Sequence, residues 1–352
     1  VDSNSLQFLT RLLEIPGPSS EEKLVSRIWR DEVATFADEV RVDVSGNSFA
    51  LLKNGKLTVL LAAHIDEIGI MVSHIDDEGF LYFLGIGLWD PYVLVGQRVR
   101  LLGKDKDVIG VIGRKPAHLL KGEDKKGEIS LSDLWIDIGV KNRSEALDYV
   151  SVGAVGVMDA ALHYLPNDRL VSRCVDNRVG VFTILEILRN LAVNRCEATI
   201  AAVTTTQEEI LQAGAQTAAF GLDPQIAIIV DMTYATDHPQ SDLKRDGDVR
   251  IGAGPVLSRG SANHPILYDM LVEIAERKGI HYSLQVTPSK TSTDADSVFV
   301  SRSGVATILV TIPCRYMHSP NELVELSDIE DTIELITTLI RSLGPEMDFL
   351  PR

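Results

Sequence analysis

Five segments of the chain place a His, Asp or Glu where an apolar run ends. In "LLAAHIDEIG" (60–69), His64 and Asp66 stand two residues apart. Side chains at i and i+2 share one face of a strand, so imidazole and carboxylate can address one site. The imidazole could bind a divalent metal while the carboxylate orients it. The competing reading is a polar pair at a strand end. In "RCVDNRVGV" (173–181), Asp176 precedes a helical run. It is either an N-cap or a ligand held at a helix start, with Asn177 and Arg178 fixing the local chain. In "VTTTQEEILQAGA" (203–215), Glu208 and Glu209 follow a β-branched run. Neighbouring residues project differently, so one carboxylate can hold a metal while the other faces a substrate cleft. The alternative is the acidic first turn of a helix. Asp231 ends the apolar run of "IAIIVDMTYATDHP", and His318 follows that of "TILVTIPCRYMHSPNE". Each also reads as a polar residue at a strand end or turn.

The combination carries more weight than any member. All five segments put a candidate ligand at or beyond the carboxyl end of an expected strand, the edge where open parallel sheets bind ligands. Two imidazoles and several carboxylates, with no thiolate, suit zinc, cobalt or manganese. With one shared aspartate they suffice for two ions about 3.5–4 Å apart, and one glutamate is left to carry a proton.

The positioning elements follow from the patterning. Amphipathic spacing predicts helices over Ser5–Leu13 and Glu21–Phe36, and strands follow near Phe49–Lys53 and Lys56–Ala63. Between about 67 and 162 helical periodicity disappears. Short β runs separated by Gly, Asp and Lys turns predict a small barrel or sandwich. Within it, the charged segment Lys121–Ile129 reads as a solvated, mobile loop. From His163 onward strands and helices alternate again, and the continuous apolar strands predict a mostly parallel sheet covered on both faces. The expected organisation is an α/β catalytic domain formed by 1–66 and 163–352, with a β-rich module over 67–162.

Composition limits the remaining possibilities. The 352 residues are 45% hydrophobic with a formal charge of −16 and no basic cluster, which disfavours nucleic-acid and anionic-membrane partners. Cys174, Cys196 and Cys314 show no CxxC spacing, so a disulfide framework is not expected and a reducing compartment is. No segment reaches the ~18 apolar residues of a membrane span, and the N-terminus lacks signal-peptide features; the expectation is a cytoplasmic protein. His74, His163, His264 and His281 lack ligand spacing, and His118 and His238 receive no chemical role. Asp237 is a candidate support for the site, Arg259 a candidate substrate contact, and Cys174 a buried small side chain rather than a ligand.

The order His64-x-Asp66, Asp176-Asn177-Arg178, Glu208-Glu209, Asp231 and "RYMHSPNE" resembles the co-catalytic metal aminopeptidases that form hollow tetrahedral dodecamers, the TET-type family. "LLEIPGPSSEE", "GVIGRKPAHLL" and "GPVLSRG" are similar to it as well, so the resemblance spans nearly the whole chain. It implies a phosphopeptidase-like α/β/α domain interrupted by a small barrel-like module that makes dimer contacts. It implies two divalent ions, zinc or cobalt first and manganese next. His64, Asp176 and Asp231 would hold one, with Asp176 bridging to a second completed by Glu209 and His318. Glu208 would be the general base and acid, acting on a metal-bridging water, and Asp66 would orient His64. The implied reaction removes the N-terminal residue of short peptides. Family members have also been labelled endoglucanases, so a two-carboxylate glycosidase and an inactive relative are the alternative readings. "LQAGA" (211–215) stands where relatives read Gly-Leu-Arg-Gly-Ala, and Ser292-Thr293-Asp294-Ala295 where they are glycine-rich. Gly304-Val305-Ala306-Thr307 replaces a Gly-Pro-Thr segment. These departures leave every implied ligand in place and bear on the substrate pocket.

Overall fold

A computed structural model describes residues 2–119 and 128–350. Most of the charged segment 121–129 lies outside them. The main body is an eight-stranded sheet in the order Glu39–Val42, Ser48–Leu52, Thr199–Thr205, Thr58–His64, Ile226–Tyr234, Ala306–Cys314, Val256–Arg259, Ser283–Val286. The four central strands run parallel, with Thr205 level with His64 and Asp231 level with Thr311. Their carboxyl ends therefore share one edge.

The strand sequences are apolar at successive positions because both faces are covered. Val59, Leu61 and Ala63 enter one core with Ile200, Ala202, Ile228 and Val230. The alternate residues Leu60, Ala62, Ala201, Val203 and Ile229 enter a second core. Helices Ser3–Glu14, Val175–Val193, Pro265–Lys278 and Leu326–Ser342 pack on the first face, and Ala213–Leu222 and Ala295–Val298 on the second. The expected Glu21–Phe36 helix is shorter, Lys23–Val33. Among the described residues no helix is long and apolar enough to cross a membrane.

The β-rich module is a closed six-stranded barrel in the order Gly69–Ile75, Leu81–Ile86, Leu134–Asp137, Val108–Arg114, Arg98–Leu101, Val155–Met158. Its strands alternate as one-sided sheets must: Leu81 and Phe83 are buried, whereas Tyr82 and Leu84 are exposed. Patterning did not reveal the separate three-stranded sheet of His163–Leu165, Arg169–Ser172 and Glu322–Glu325. Its strands are three or four residues long, too short to show a period.

Arg178 ties the N-terminal segment to the sheet. Its fully buried guanidinium donates to the carbonyls of Ile65 (2.6 Å), Leu12 (2.7 Å) and Ile15 (3.2 Å), and to Glu67 Oε1 (3.1 Å). Glu67 also accepts from the Gly17 amide (3.0 Å) and pairs with buried Arg173. One cation thus fixes the end of a central strand to the N-terminal helix. Arg178→Met strands several buried carbonyls and leaves Glu67 with Arg173 as its only cation, and is expected to cost about 3–5 kcal/mol. Arg195→Met removes the half-exposed pair with Asp38 and is expected to cost no more than about 1 kcal/mol. Urea denaturation of the two variants measures the contrast.

Candidate active site and metal centre

His64 closes its strand with the ring buried. Its Nε2 lies 3.1 Å from Asp176 Oδ1, 3.6 Å from Asp231 Oδ1 and 3.9 Å from Glu208 Oε2. Across the site, His318 Nε2 lies 3.3 Å from Glu209 Oε2 and 3.7 Å from Asp176 Oδ2. The donor atoms fall into two groups: His64, Asp176 and Asp231 in one, Asp176, Glu209 and His318 in the other. The two oxygens of Asp176 serve opposite groups. All five ligand candidates from the sequence meet here.

Local backbone explains how. Asp176 opens its helix with non-helical angles, φ −77° and ψ 107°, and its peptide bond to Asn177 is cis. Capping falls to Asn177, whose Oδ1 accepts from the Gly180 amide (3.1 Å) while its Nδ2 donates to Val230 O (2.9 Å). The N-cap reading of Asp176 therefore passes to its neighbour, and the Asp176 carboxylate is left to the site. Glu208 and Glu209 do begin a short helix, Glu208–Leu211. Their backbone amides donate to the two oxygens of Asp66 (3.1 and 3.2 Å), which also accepts from Ser19 Oγ (2.7 Å). Asp66 thus holds the glutamate pair by its backbone and lies 3.4 Å from His64 Nδ1. Gly214 lets the chain return beside this turn, since a Cβ there would sit 2.4 Å from the Thr206 backbone.

The donor set fits divalent cations. Glu209 Oε1 is buried without a hydrogen-bond partner. Glu208 belongs to neither ligand group, yet lines the same cavity of about 820 Å³. Leu211, Gln212, Ser292 and Thr293 line that cavity too, so two of the three family departures border it; Gly304–Thr307 does not.

Sequence reasoning assigned nothing to three buried carboxylates around this centre. Glu322 accepts from the backbone of Asp176 and His318. Asp294 accepts from Thr205 Oγ1, and Glu67 anchors Arg178. Glu322 and Asp294 stand inside the motifs "RYMHSPNE" and "TSTDA", but nothing local says that they are buried. Asp237 forms a bidentate pair with Arg315 (2.8 and 2.7 Å). Arg259 lies over the Tyr268 ring, away from the cavity lining. Cys174 is buried, its thiol pushed up to about 12 by desolvation, as suits a packing residue.

Burial raises the pKa of Glu208 well above the ordinary carboxylate range, with Asp231, Asp294 and Glu209 adding to it against His64. Burial likewise raises Glu209, Asp231 and Glu322. For the imidazoles burial acts downward but loses to the carboxylates: His64 lies well above 6.5 and His318 at about 9. Every one of these shifts makes the folded chain hold protons that the unfolded chain releases. Such stability is complete below the unfolded pKa values and is lost as pH rises through the folded ones. Chelated protein is therefore expected to melt lower at about pH 8.5 than at about pH 6. Added divalent metal should flatten that slope by replacing the protons. Thermal melts with and without EDTA at both pH values measure it, and a chelated protein that gains stability with pH contradicts this charge balance.

Comparisons with known proteins match the chain over nearly its whole length. The M42 glutamyl aminopeptidase family matches residues 46–335. The chain is 34% identical over 348 residues to a lysyl aminopeptidase of Pyrococcus furiosus, covering 98% of this chain and 99% of that one. A TET aminopeptidase from the marine sediment archaeon Thaumarchaeota archaeon SCGC AB-539-E09 superposes with a TM-score of 0.94 at 32% identity, over 97% of each chain. The TET1 peptidase of Pyrococcus horikoshii, described as able to assemble into a tetrahedron or a large octahedral shell, superposes with a TM-score of 0.85 at 30% identity, over 96% of this chain and all of that one. The chain belongs to the M42 glutamyl aminopeptidase family, and it is a metalloaminopeptidase, a hydrolase of peptide bonds.

Proposed function

We propose that this aminopeptidase removes the N-terminal residue of short peptides with two divalent ions per subunit and Glu208 as its proton carrier. The observation that carries the reading is the placement of Glu208: a carboxylate with only 9% of its side chain exposed, lining the cavity 3.9 Å from His64, yet outside both candidate ligand groups. His64, Asp176 and Asp231 hold one ion; Asp176, Glu209 and His318 hold the other. Zinc or cobalt suits these donors, with manganese next. When bound, such ions supply Lewis acidity, which polarises a carbonyl and makes a water acidic near neutral pH.

The chain's own groups do the rest. The Glu208 carboxylate takes a proton from the attacking water and passes it to the leaving amine. Asp66 keeps Glu208 and Glu209 in place through their backbone amides and orients His64. The carboxylate-rich wall favours a free α-ammonium, which an internal residue lacks, and this directs cleavage to the N-terminus. The two other readings open from the sequence fit less well. A two-carboxylate glycosidase leaves His64 and His318 without a task, and an inactive relative would not keep every ligand position filled.

Assembly is part of the proposal. The barrel exposes Met71, Tyr82, Leu84, Ile109 and Val111, and Met71 faces Leu84 across paired strands. This apolar surface supports dimerisation through the 67–162 module, and the horikoshii relative supports further assembly to a tetrahedral dodecamer. The unpaired Cys174, Cys196 and Cys314 fit a reducing, cytoplasmic setting.

Glu208→Gln is expected to bind metal as the wild type does while kcat falls by roughly 10²–10⁴-fold, the usual worth of a general base. Near wild-type kcat in this variant removes Glu208 from the role. Glu209→Ala is expected to lose one of two bound ions, which elemental analysis reads directly. A panel of aminoacyl chromogenic substrates, assayed after chelation and re-addition of zinc, cobalt or manganese, identifies the metal and the preferred residue. Light scattering on the same sample reads the assembly.

A further inference from the structure

Glu322 is buried to 2% exposure beside the candidate metal centre, and its carboxylate meets the backbone amides of two candidate ligands. Its Oε2 accepts the Asp176 amide at 2.9 Å and its Oε1 the His318 amide at 2.8 Å. These two residues are 142 positions apart in the chain, and both belong to the group completed by Glu209. Neither rests in regular structure. Asp176 has non-helical angles within its helix, and His318 has φ +58°, a left-handed conformation unfavourable for a residue with a Cβ. No helix or sheet ladder fixes these two amides, so their direction depends on the acceptor they share.

Glu322 is itself held firmly. It opens the strand Glu322–Glu325, level with Ser172 of the Arg169–Ser172 strand, which leads into Asp176. The small three-stranded sheet thus delivers one carboxylate between two ligand-bearing loops. We infer that Glu322 is a positioning residue that sets the spacing of Asp176 and His318, and so the affinity for the ion those residues share with Glu209. The inference rests on the two-ion reading of the site.

The argument is geometric. A carboxylate offers an acceptor to each amide. Glutamine offers one carbonyl oxygen, and its NH2 group would face the other amide donor to donor. Two of three ligands in the Asp176–Glu209–His318 group are held through Glu322, against one of three in the group with His64 and Asp231. The loss should therefore fall mainly on one ion.

Cobalt(II) titration of the chelated full-length protein, followed by its visible absorption, tests this. Wild type is expected to bind two ions. In Glu322→Gln one ion should bind about 10–100-fold more weakly, the usual effect of losing a group that orients ligands, and the other within about twofold of wild type. Adding Glu322→Gln to His318→Ala should leave the remaining ion bound as in His318→Ala alone. Glu322→Asp, with its carboxylate a methylene short, carries the same expectation where the glutamine variant fails to fold. Unchanged affinity for both ions overturns the inference. So does equal weakening of both, or loss of the remaining ion in the double variant, because each marks a general structural role. Fewer than two ions in wild type overturns the two-ion reading itself, and this inference with it.

Discussion

Mutual repulsion among buried carboxylates is the constraint on which this structure turns. Asp176, Glu208, Glu209 and Asp231 converge on two imidazoles with little access to water. At an effective dielectric near 20, two unit charges 4 Å apart repel by about 4 kcal/mol. Two histidines cannot balance such a group if all its acids ionise. The chain alone answers by keeping protons: burial first, and repulsion after it, raises the pKa values of Glu208, Glu209 and Asp231. Divalent cations answer better, because each brings two charges and several coordination positions.

The scaffold withstands this repulsion by gripping backbone rather than side chains. Asp66 takes the amides of Glu208 and Glu209, and Glu322 those of Asp176 and His318. Asp176, Glu208 and Glu209 are thereby placed through their amides rather than their carboxylate oxygens. Arg178 plays the complementary part with carbonyls, joining the end of the His64 strand to the N-terminal helix. Of the candidate ligands, Asp231 differs, because its Oδ1 accepts from the Met232 amide (2.8 Å).

Much of this was legible in the sequence. The parallel sheet showed in the continuous apolar strands, and the barrel in the loss of helical period after Asp66. His64 and Glu208 were visible because each ends a strong apolar run. The less legible features have physical reasons. The strands of the third sheet are too short to show a period. The capping of the long helix by Asn177 rather than Asp176 depends on contacts with Val230. Glu322 and Asp294 lie in quoted motifs, yet a carboxylate in a motif looks the same whether it meets water or two buried amides.

Residue type and order by themselves determined the alternation of strands and helices, the inventory of imidazoles and carboxylates, and their place at strand ends. Those properties are local, set by side-chain period and chemistry. The tertiary structure alone decided which oxygens of Asp176 face which partners, that Glu208 stands outside both ligand groups, and that Asp66 and Glu322 act through backbone. Each of these is a relation of a few ångströms between residues far apart in the chain. Strand register and packing set such distances, and no single segment encodes them.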